Sequence, residues 1–274
     1  MSTTAFQDTL ALVKRLEGGG PRMVTAIHPE DEMFLYVLDH PERAPNPQTH
    51  YFSGGERMLT RLHDLLGKLD LKLADTRRFL EFACGYGRFT RHLVRVLPPS
   101  RITVSDLSHK AVDFQRATFG VKGVYSHLSP DDVKFADQFD LIFVASLFSH
   151  LPDAAFGAWV RRLYDALDEG GTLLFSTHGP SCLPADVAMP ERGIIYHKAS
   201  ESRTHSADDY GTSYVTEEYV AQSVREHTGQ DVALRVERGL FNIQDVYAVR
   251  KPRADEPVRS KPGRSADGSP ASEG

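Results

Sequence analysis

Two glycines and an aspartate stand at a spacing that suits the binding of a nucleoside. The segment FLEFACGYGRFT, residues 79–90, passes from an apolar strand pattern through Gly85 and Gly87 into a helical pattern near Arg88. Backbone N–H groups at such a helix start, with the positive end of the helix dipole, favour a polar or anionic ligand. Asp106 ends the next strand pattern, ITVSD, where a carboxylate can accept hydrogen bonds from ribose hydroxyls.

Each of these features also has a purely structural explanation. The two glycines could serve turn geometry alone. Asp106 could cap a helix, although Ser108 is another candidate for that role. A dinucleotide-binding turn would continue to a third glycine, where this chain has Thr90. The combination at this spacing therefore favours a site for a nucleoside-type cofactor.

Strand and helix patterns alternate over residues 77–250, and these elements must position the candidate site. The strand patterns are RRFLEFA, RITVSD, GVYSHL, FDLIFVASLF, GTLLFSTH, VALRVERG and QDVYAVRK. Helices are predicted from Asp153, as the cap, to Glu169 before Gly170, and from Thr216 to Gly229. The short LFNI link makes the last two strands a hairpin. We therefore predict an α/β, Rossmann-like, seven-stranded and mostly parallel sheet with an antiparallel final hairpin strand and helices on both faces.

Three other segments differ from this pattern. Residues 1–76 are mostly helical in pattern and are predicted to form an N-terminal cap on the domain of residues 77–252. Residues 178–215 are a long connection, which inside a compact domain is typical of a lid or substrate loop. Residues 253–274 are rich in Pro, Ser, Gly and charge and are predicted to be a disordered tail.

Composition narrows the class of protein. The chain has 274 residues, of which 41% are hydrophobic and 25% charged, with a net charge of -5. Because nucleic-acid binders usually carry a basic excess, no nucleic-acid partner is expected. No apolar run could cross a bilayer and no signal-peptide pattern is present, so we expect no membrane span and a cytoplasmic location. Cys84 and Cys182 are the only cysteines, so neither a disulfide framework nor a metal site is expected.

Four segments resemble the class I S-adenosylmethionine-dependent methyltransferases in order and spacing: FLEFACGYGRFTRHL, ITVSDLS, FDLIFVASLFSHLPD and LDEGGTLLFSTHG. The resemblance covers roughly residues 77–250 and implies S-adenosylmethionine as the cofactor. It implies cofactor contacts from the glycine turn, the end of the second strand and the turn after the fourth strand, namely Ala83, Cys84, Gly85, Gly87, Arg88, Asp106, Leu107, Ala145 and Ser146.

Three further cofactor contacts are expected. Glu81, inside the first strand, could hold the cofactor's ammonium or an N–H of the turn. The third strand lacks the acidic residue that the family often places near the adenine, so Ser126 or His127 is expected there. Tyr51 or Arg57 could donate to the cofactor's carboxylate, whereas Ser53 in the same HYFSGGERM segment could simply cap a helix.

Two histidines are candidates for proton removal from an acceptor. His150 and His178 follow the fourth and fifth strands, at the sheet edge where ligands bind in open α/β folds. His178, at the start of the long connection, is predicted to be a general base. His150 is predicted mainly to hold a loop in place.

Motifs for thiol, base-amine or glutamine acceptors are absent from the sequence. We therefore predict a small-molecule acceptor methylated at a hydroxyl, such as a sugar, a lipid-linked intermediate or a natural product. FSTHG and YGTSYVTEEYV resemble methyltransferases found with glycan-building enzymes. The alternatives are a nicotinamide-dependent oxidoreductase and an inactive S-adenosylmethionine-binding partner protein.

Overall fold

The computed structural model describes residues 3–18, 20–199, 206 and 208–254. Its α-helices are α1 (Thr3–Glu17), α2 (Glu32–Asp39), α3 (Pro47–Lys68), α4 (Thr90–Leu93), α5 (His109–Phe119), α6 (Asp153–Asp165) and α7 (Glu217–Thr228). Its strands are β1 (Phe79–Phe82), β2 (Ile102–Asp106), β3 (Lys122–Tyr125), β4 (Phe139–Val144), β5 (Leu167–His178), β6 (Ile194–His197), β7 (Thr212–Val215), β8 (Leu234–Leu240) and β9 (Gln244–Arg250).

The strands form one mixed sheet. β3, β2, β1, β4 and β5 run parallel in that spatial order. β9 pairs antiparallel with β5 from Thr172 to His178, and β8 pairs antiparallel with β9. The predicted Rossmann-like α/β fold and its final antiparallel hairpin are therefore confirmed. Because the strand order reverses between β1 and β4, a crevice opens at the carboxyl ends of these strands.

Alternating side chains of the central strands build a hydrophobic core on each face of the sheet. In β4, Ile142 and Val144 pack in the core that contains α6 and α7. Leu141 and Phe143 pack in the core that contains α3 and the ends of α4 and α5. Fully burying one such side chain contributes about 1.5–3 kcal/mol, so the strand ends that carry the site are firmly supported.

The helix predicted over 153–169 is shorter than expected. α6 ends at Asp165, and Leu167 already pairs with Phe139 in the sheet. Leu167 is fully buried, so strand pairing and burial outweigh the helical pattern of this segment. The N-cap of α6 is Pro152, not Asp153, whose carboxylate instead accepts a hydrogen bond from Tyr219 at 2.8 Å.

The ends predicted for the next helix are confirmed. The Thr216 hydroxyl accepts a hydrogen bond from the Tyr219 N–H at 3.1 Å, which caps α7 at its start. Gly229 follows the last turn with a left-handed φ of 72°, the conformation that glycine adopts at helix ends.

The HYFSGGERM segment lies inside α3, so Ser53 does not cap a helix. Asn46 caps α3 instead, since its side chain accepts from the Thr49 N–H at 3.1 Å. A Cβ on Gly55 would collide with the Arg88 carbonyl oxygen. The glycine therefore allows α3 to pack closely against the turn that follows β1.

The long connection of residues 178–215 contains two short strands. β6 and β7 pair antiparallel, and β7 pairs with β5 between Tyr214 and His178. The sheet thus has two strands more than the seven predicted. Each has four residues, too few for their alternation to stand out in the sequence. The predicted tail falls, from residue 255 onward, outside the described residues.

Within the described ranges, no helix combines the length and the apolar character that crossing a bilayer requires.

Candidate functional site

A cavity of about 860 Å³ lies at the carboxyl ends of the first four strands. Its volume is near the upper end of the range of about 300–1,000 Å³ for small-molecule sites. Eleven residues that the sequence analysis names as candidate cofactor contacts line it: Glu81, Ala83, Cys84, Gly85, Arg88, Asp106, Leu107, Ser126, His127, Ala145 and Ser146. Segments far apart in the chain thus meet at one place, as expected for ligand sites at the switch point of a sheet.

Asp106 fastens the glycine turn. Its Oδ2 accepts a hydrogen bond from the Gly85 N–H at 2.8 Å, and its Oδ1 accepts one from the Ser108 N–H at 2.9 Å. Ser108, not Asp106, caps α5 through its hydroxyl. A carboxylate oxygen can accept more than one hydrogen bond, so Asp106 can hold the turn and still accept from ribose hydroxyls.

The two glycines of the turn face different surroundings. Gly85, with a φ of 53°, has nothing within 4 Å of the position that a Cβ would take. Gly87, with a φ of 82°, would place a Cβ 2.5 Å from the Phe119 ring and 3.2 Å from Gln115. Gly85 borders the cavity, whereas Gly87 is not among the lining residues. The expected direct contact of Gly87 with the cofactor is therefore replaced by a packing role against α5.

Two residues on the cavity wall adopt left-handed backbone conformations without being glycine. These are Ala83, with a φ of 57°, and Ser146, with a φ of 66°. This conformation costs an L-residue about 1–2 kcal/mol and concentrates at functional sites. Glycine would adopt this conformation at position 83 without that cost.

Glu81 is a buried carboxyl group on the cavity wall. Its Oε2 accepts a hydrogen bond from the Thr90 hydroxyl at 2.6 Å, rather than from an N–H of the turn. Burial raises the pKa of Glu81 to about 8, although the bond from Thr90 opposes the rise. Glu81 is therefore mostly protonated at neutral pH, and a ligand ammonium beside it would favour its ionised form.

Arg88 brings a positive charge to the same cavity. Its guanidinium carbon lies 5.0 Å from the Phe241 ring centre, and burial lowers the pKa of this residue. Among the described residues, no carboxylate lies within ion-pair distance of Arg88. A guanidinium in this setting fits a ligand carboxylate.

Tyr51 does not lie on the cavity wall, contrary to expectation. It is fully buried in α3, and its hydroxyl donates to Asp31 Oδ2 at 2.5 Å. Arg57 is also absent from the lining residues, whereas Arg88 is present. Because HYFSGGERM is helical, Tyr51 points into the protein behind the site.

His150 fastens a loop instead of facing the cavity. Its Nδ1 donates to the Gly211 carbonyl at 2.7 Å, and the Gly211 N–H donates back to the His150 carbonyl at 3.0 Å. Its ring stacks on Tyr210 at 4.4 Å between ring centres. Burial lowers the pKa of His150, so the ring is neutral near pH 7. Tyr210, unlike His150, lines the cavity.

His178 is also set back from the cavity. Its Nε2 lies 3.4 Å from the Gln244 amide nitrogen. The Gln244 oxygen accepts from the Ser146 hydroxyl at 3.1 Å and the Ser176 hydroxyl at 2.8 Å. This orientation turns the Gln244 amide nitrogen toward His178, which is not among the residues that line the cavity. The placement does not support the expected role of His178 as a general base.

Sequence reasoning missed other residues that line the cavity, among them residues 29–33, Leu35, Leu151, Pro152, Ala155 and Trp159. Asp209 and Tyr210 also line it, and they lie in the long connection that the sequence predicts to be a lid or substrate loop. Trp159, the single tryptophan of the chain, was visible in the sequence only as part of an apolar helical stripe. The segment HPEDEM was not singled out in the sequence. In the structure the Asp31 carboxylate caps α2 by accepting from the Phe34 N–H.

The part of the chain that the structure describes holds no group of three or more His, Cys, Asp or Glu residues suited to a metal ion.

Comparison with known proteins adds an independent finding. Residues 79–171 match the family described as "Methyltransferase domain". The fold resembles the S-adenosylmethionine-dependent methyltransferase from Clostridium acetobutylicum, with a TM-score of 0.53 over 80% of this chain and 98% of that one, at 15% identity. Residues 79–171 thus match a methyltransferase domain, and the fold is that of an S-adenosylmethionine-dependent methyltransferase. The antiparallel β9 and this match speak against a nicotinamide-dependent oxidoreductase.

Curated proteins match part of the chain. A malonyl-[acyl-carrier protein] O-methyltransferase of Acetivibrio thermocellus is 29% identical over 116 residues, which are 42% of this chain and 40% of the relative. One of Calditerrivibrio nitroreducens is 28% identical over 144 residues, which are 52% of this chain and 54% of the relative. The chain thus matches about half the length of these relatives.

The structurally similar methyltransferase is S-adenosylmethionine-dependent, and the cavity residues fit the groups of that cofactor chemically. Asp106 offers acceptors for ribose hydroxyls, Glu81 a carboxyl group for an ammonium and Arg88 a guanidinium for a carboxylate. The open space beside Gly85 lets a ligand approach the backbone of the turn. The individual assignments remain predictions.

Proposed function

We propose that this protein transfers a methyl group from S-adenosylmethionine to a hydroxyl of a small-molecule acceptor. The observation that carries the proposal is the single cavity in which Asp106, Glu81, Arg88 and the open side of Gly85 meet. When bound, S-adenosylmethionine supplies a methyl group on a sulfonium, which is already an electrophile. The protein must therefore mainly hold the acceptor oxygen in line and exclude water.

The charges around the cavity favour a neutral acceptor over a carboxylate. Among the described lining residues, the lysines and arginines are Arg88, at the glycine turn, and Lys110. The Lys110 ammonium pairs with Glu30 at 2.8 Å. The lining acidic residues, Glu30, Asp31, Glu32, Glu81, Asp106 and Asp209, outnumber these two cations, which disfavours an acceptor carboxylate relative to a neutral hydroxyl. Methylation of malonyl-acyl carrier protein, suggested by the names of the relatives, is therefore the second candidate.

Asp209 and Tyr210 support the acceptor side of the proposal. Both belong to the long connection, which the sequence predicts to be a substrate loop, and both line the cavity. We propose that these two side chains contact the acceptor hydroxyl. Proximity and orientation alone contribute much of the rate in reactions of this kind, so the proposal requires no histidine base.

Two experiments test this function in sequence. The protein is first heated with S-adenosylhomocysteine or with NAD, and only the former should raise its melting temperature. Methyl-labelled S-adenosylmethionine is then offered with a panel of sugars, lipid-linked glycans, hydroxylated natural products and malonyl-acyl carrier protein. Label on a hydroxyl acceptor supports the proposal, and label only on malonyl-acyl carrier protein replaces it. Binding without transfer to any acceptor would favour an inactive partner protein.

A further inference from the structure

Arg91 is the largest fully buried side chain among the described residues, and the assignments above leave it without a function. It lies in α4, one turn beyond the glycine turn. Burying a guanidinium is costly unless its N–H groups find acceptors. The partners of Arg91 therefore show what the residue holds in place.

The Arg91 guanidinium joins the glycine turn to the chain that precedes α2. Its Nε donates to the Gly87 carbonyl at 2.9 Å. Its Nη1 donates to the carbonyls of Val24 and Ala26, each at 3.0 Å. A planar guanidinium can serve carbonyls in several directions at once, which a lysine ammonium in its place could not do.

Residues 24–31, which we call the strap, continue from these carbonyls onto the cavity wall. The His28 ring stacks on Tyr86 of the glycine turn, with 4.5 Å between ring centres and an angle of 14°. Glu30 pairs with Lys110 at the start of α5. Residues 29–31 then line the cavity. The strap thus crosses the outside of the glycine turn and ends at the ligand space.

Arg91 also reaches the far end of the strap. Its Nη2 donates to the Tyr51 hydroxyl at 3.4 Å, and that hydroxyl donates to Asp31 at 2.5 Å. Asp31 is 2% exposed and lines the cavity. The rings of Tyr51 and Phe52 flank the guanidinium, with centres at 5.1 and 5.5 Å. One side chain therefore holds both ends of the strap.

We propose that Arg91 is a positioning residue for the cofactor, because it holds the strap against the glycine turn and so forms the wall of residues 29–31. The inference rests on the cofactor site proposed above. A residue that only stabilised the fold would lower the melting temperature and leave the affinity of the folded protein unchanged. A positioning residue changes the affinity itself.

The test compares Arg91→Met and Arg91→Lys with Arg95→Met in titrations with S-adenosylhomocysteine. Arg95 is a matched control, since it donates to the Pro21 and Glu17 carbonyls and does not line the cavity. Both Arg91 variants should bind S-adenosylhomocysteine about tenfold to 100-fold more weakly, the effect of a displaced binding wall. Arg95→Met should bind like the wild type.

Hydrogen exchange gives a second readout that does not depend on turnover. S-adenosylhomocysteine should slow amide exchange in residues 22–33 of the wild type, and much less in the Arg91 variants. If the Arg91 variants do not fold, His28→Ala replaces them, because it loosens the strap at a half-buried position. It should weaken binding and raise exchange in the same residues.

Two results would overturn the inference separately from the cofactor assignment. One is wild-type affinity in a folded Arg91→Met or in His28→Ala. The other is binding by the wild type with no protection of residues 22–33. A wild type that fails to bind S-adenosylhomocysteine at all would instead overturn the cofactor site and this inference together.

Discussion

Asp106 and Gly85 are joined by a hydrogen bond of 2.8 Å from the Gly85 N–H to Asp106 Oδ2. The bond links the end of β2 to the turn that follows β1, the two places where the family's cofactor is expected to bind. Asp106 consequently holds the glycine turn in place and is also proposed to bind the cofactor. A variant of Asp106 can distinguish these two roles.

Asp106→Ala should weaken both the fold and the binding of S-adenosylhomocysteine. Losing hydrogen bonds to a charged acceptor costs about 2 kcal/mol in affinity, and freeing the Gly85 N–H should also lower the melting temperature. Ser108→Ala is the matched control, because it removes the cap of α5 and leaves the carboxylate in place. A lower melting temperature with wild-type affinity would show that Asp106 only holds the turn.

Gly85→Ala and Gly87→Ala should impair the protein in different ways, the first mainly in cofactor affinity and the second mainly in stability. At Gly85 the new methyl group would enter open space on the cavity wall, so affinity for S-adenosylhomocysteine should drop, with about 1–2 kcal/mol of stability lost to the left-handed backbone. At Gly87 it would also strike the Phe119 ring, adding about 1–3 kcal/mol of overpacking. Calorimetry and denaturant unfolding distinguish these effects. Equal losses of stability in the two variants would contradict the prediction.

Affinity for S-adenosylhomocysteine should rise with pH through the titration of Glu81. Burial raises the pKa of this carboxyl to about 8, so in the free protein it must lose a proton before it can pair with a ligand ammonium. Since binding then favours the deprotonated form, affinity should increase from about pH 6 to about pH 8 and level off above that. Calorimetry across this range measures the effect. Glu81→Gln should abolish the pH dependence, and a persistent slope would assign it to another group.

His150 should stabilise the fold and should not transfer a proton in the reaction. His150→Phe keeps an aromatic ring against Tyr210 but leaves the Gly211 carbonyl without its donor, which costs about 1–3 kcal/mol when a buried acceptor is left unpaired. His150→Asn retains a donor and loses the stacking. Both should speed amide exchange in residues 208–215. If exchange there stays at the wild-type rate, His150 does not hold this segment.

The contribution of His150 to the stability of the fold should depend on pH in a definite direction. Burial lowers the pKa of His150 in the folded protein, so the unfolded chain takes up the proton first as pH falls. The contribution of His150 to stability is therefore complete at neutral pH and decreases below about pH 6.5. Wild type and His150→Phe, melted at several pH values, should converge as the pH is lowered.

The sequence alone was sufficient for seven strands of the sheet, the glycine turn and the place of Asp106. Strand periodicity, the two glycines and helix ends such as Thr216 and Gly229 are local signals, because each depends on neighbouring residues. The short strands β6 and β7 and the continuity of α3 through Gly55 were missed. Their formation depends on partners far away in the chain, which no short window of sequence contains.

Tertiary structure alone decided which side chains reach the cavity. His178 and Tyr51 have suitable chemistry at suitable positions in the sequence, but the first contacts Gln244 away from the cavity lining and the second is buried in α3. Arg91, one helical turn past the glycines, resembles any helical arginine until the carbonyls of Val24 and Ala26 are seen at its guanidinium. The direction of a side chain is set by what packs around it. The sequence could therefore locate the site but could not identify all the side chains that line it.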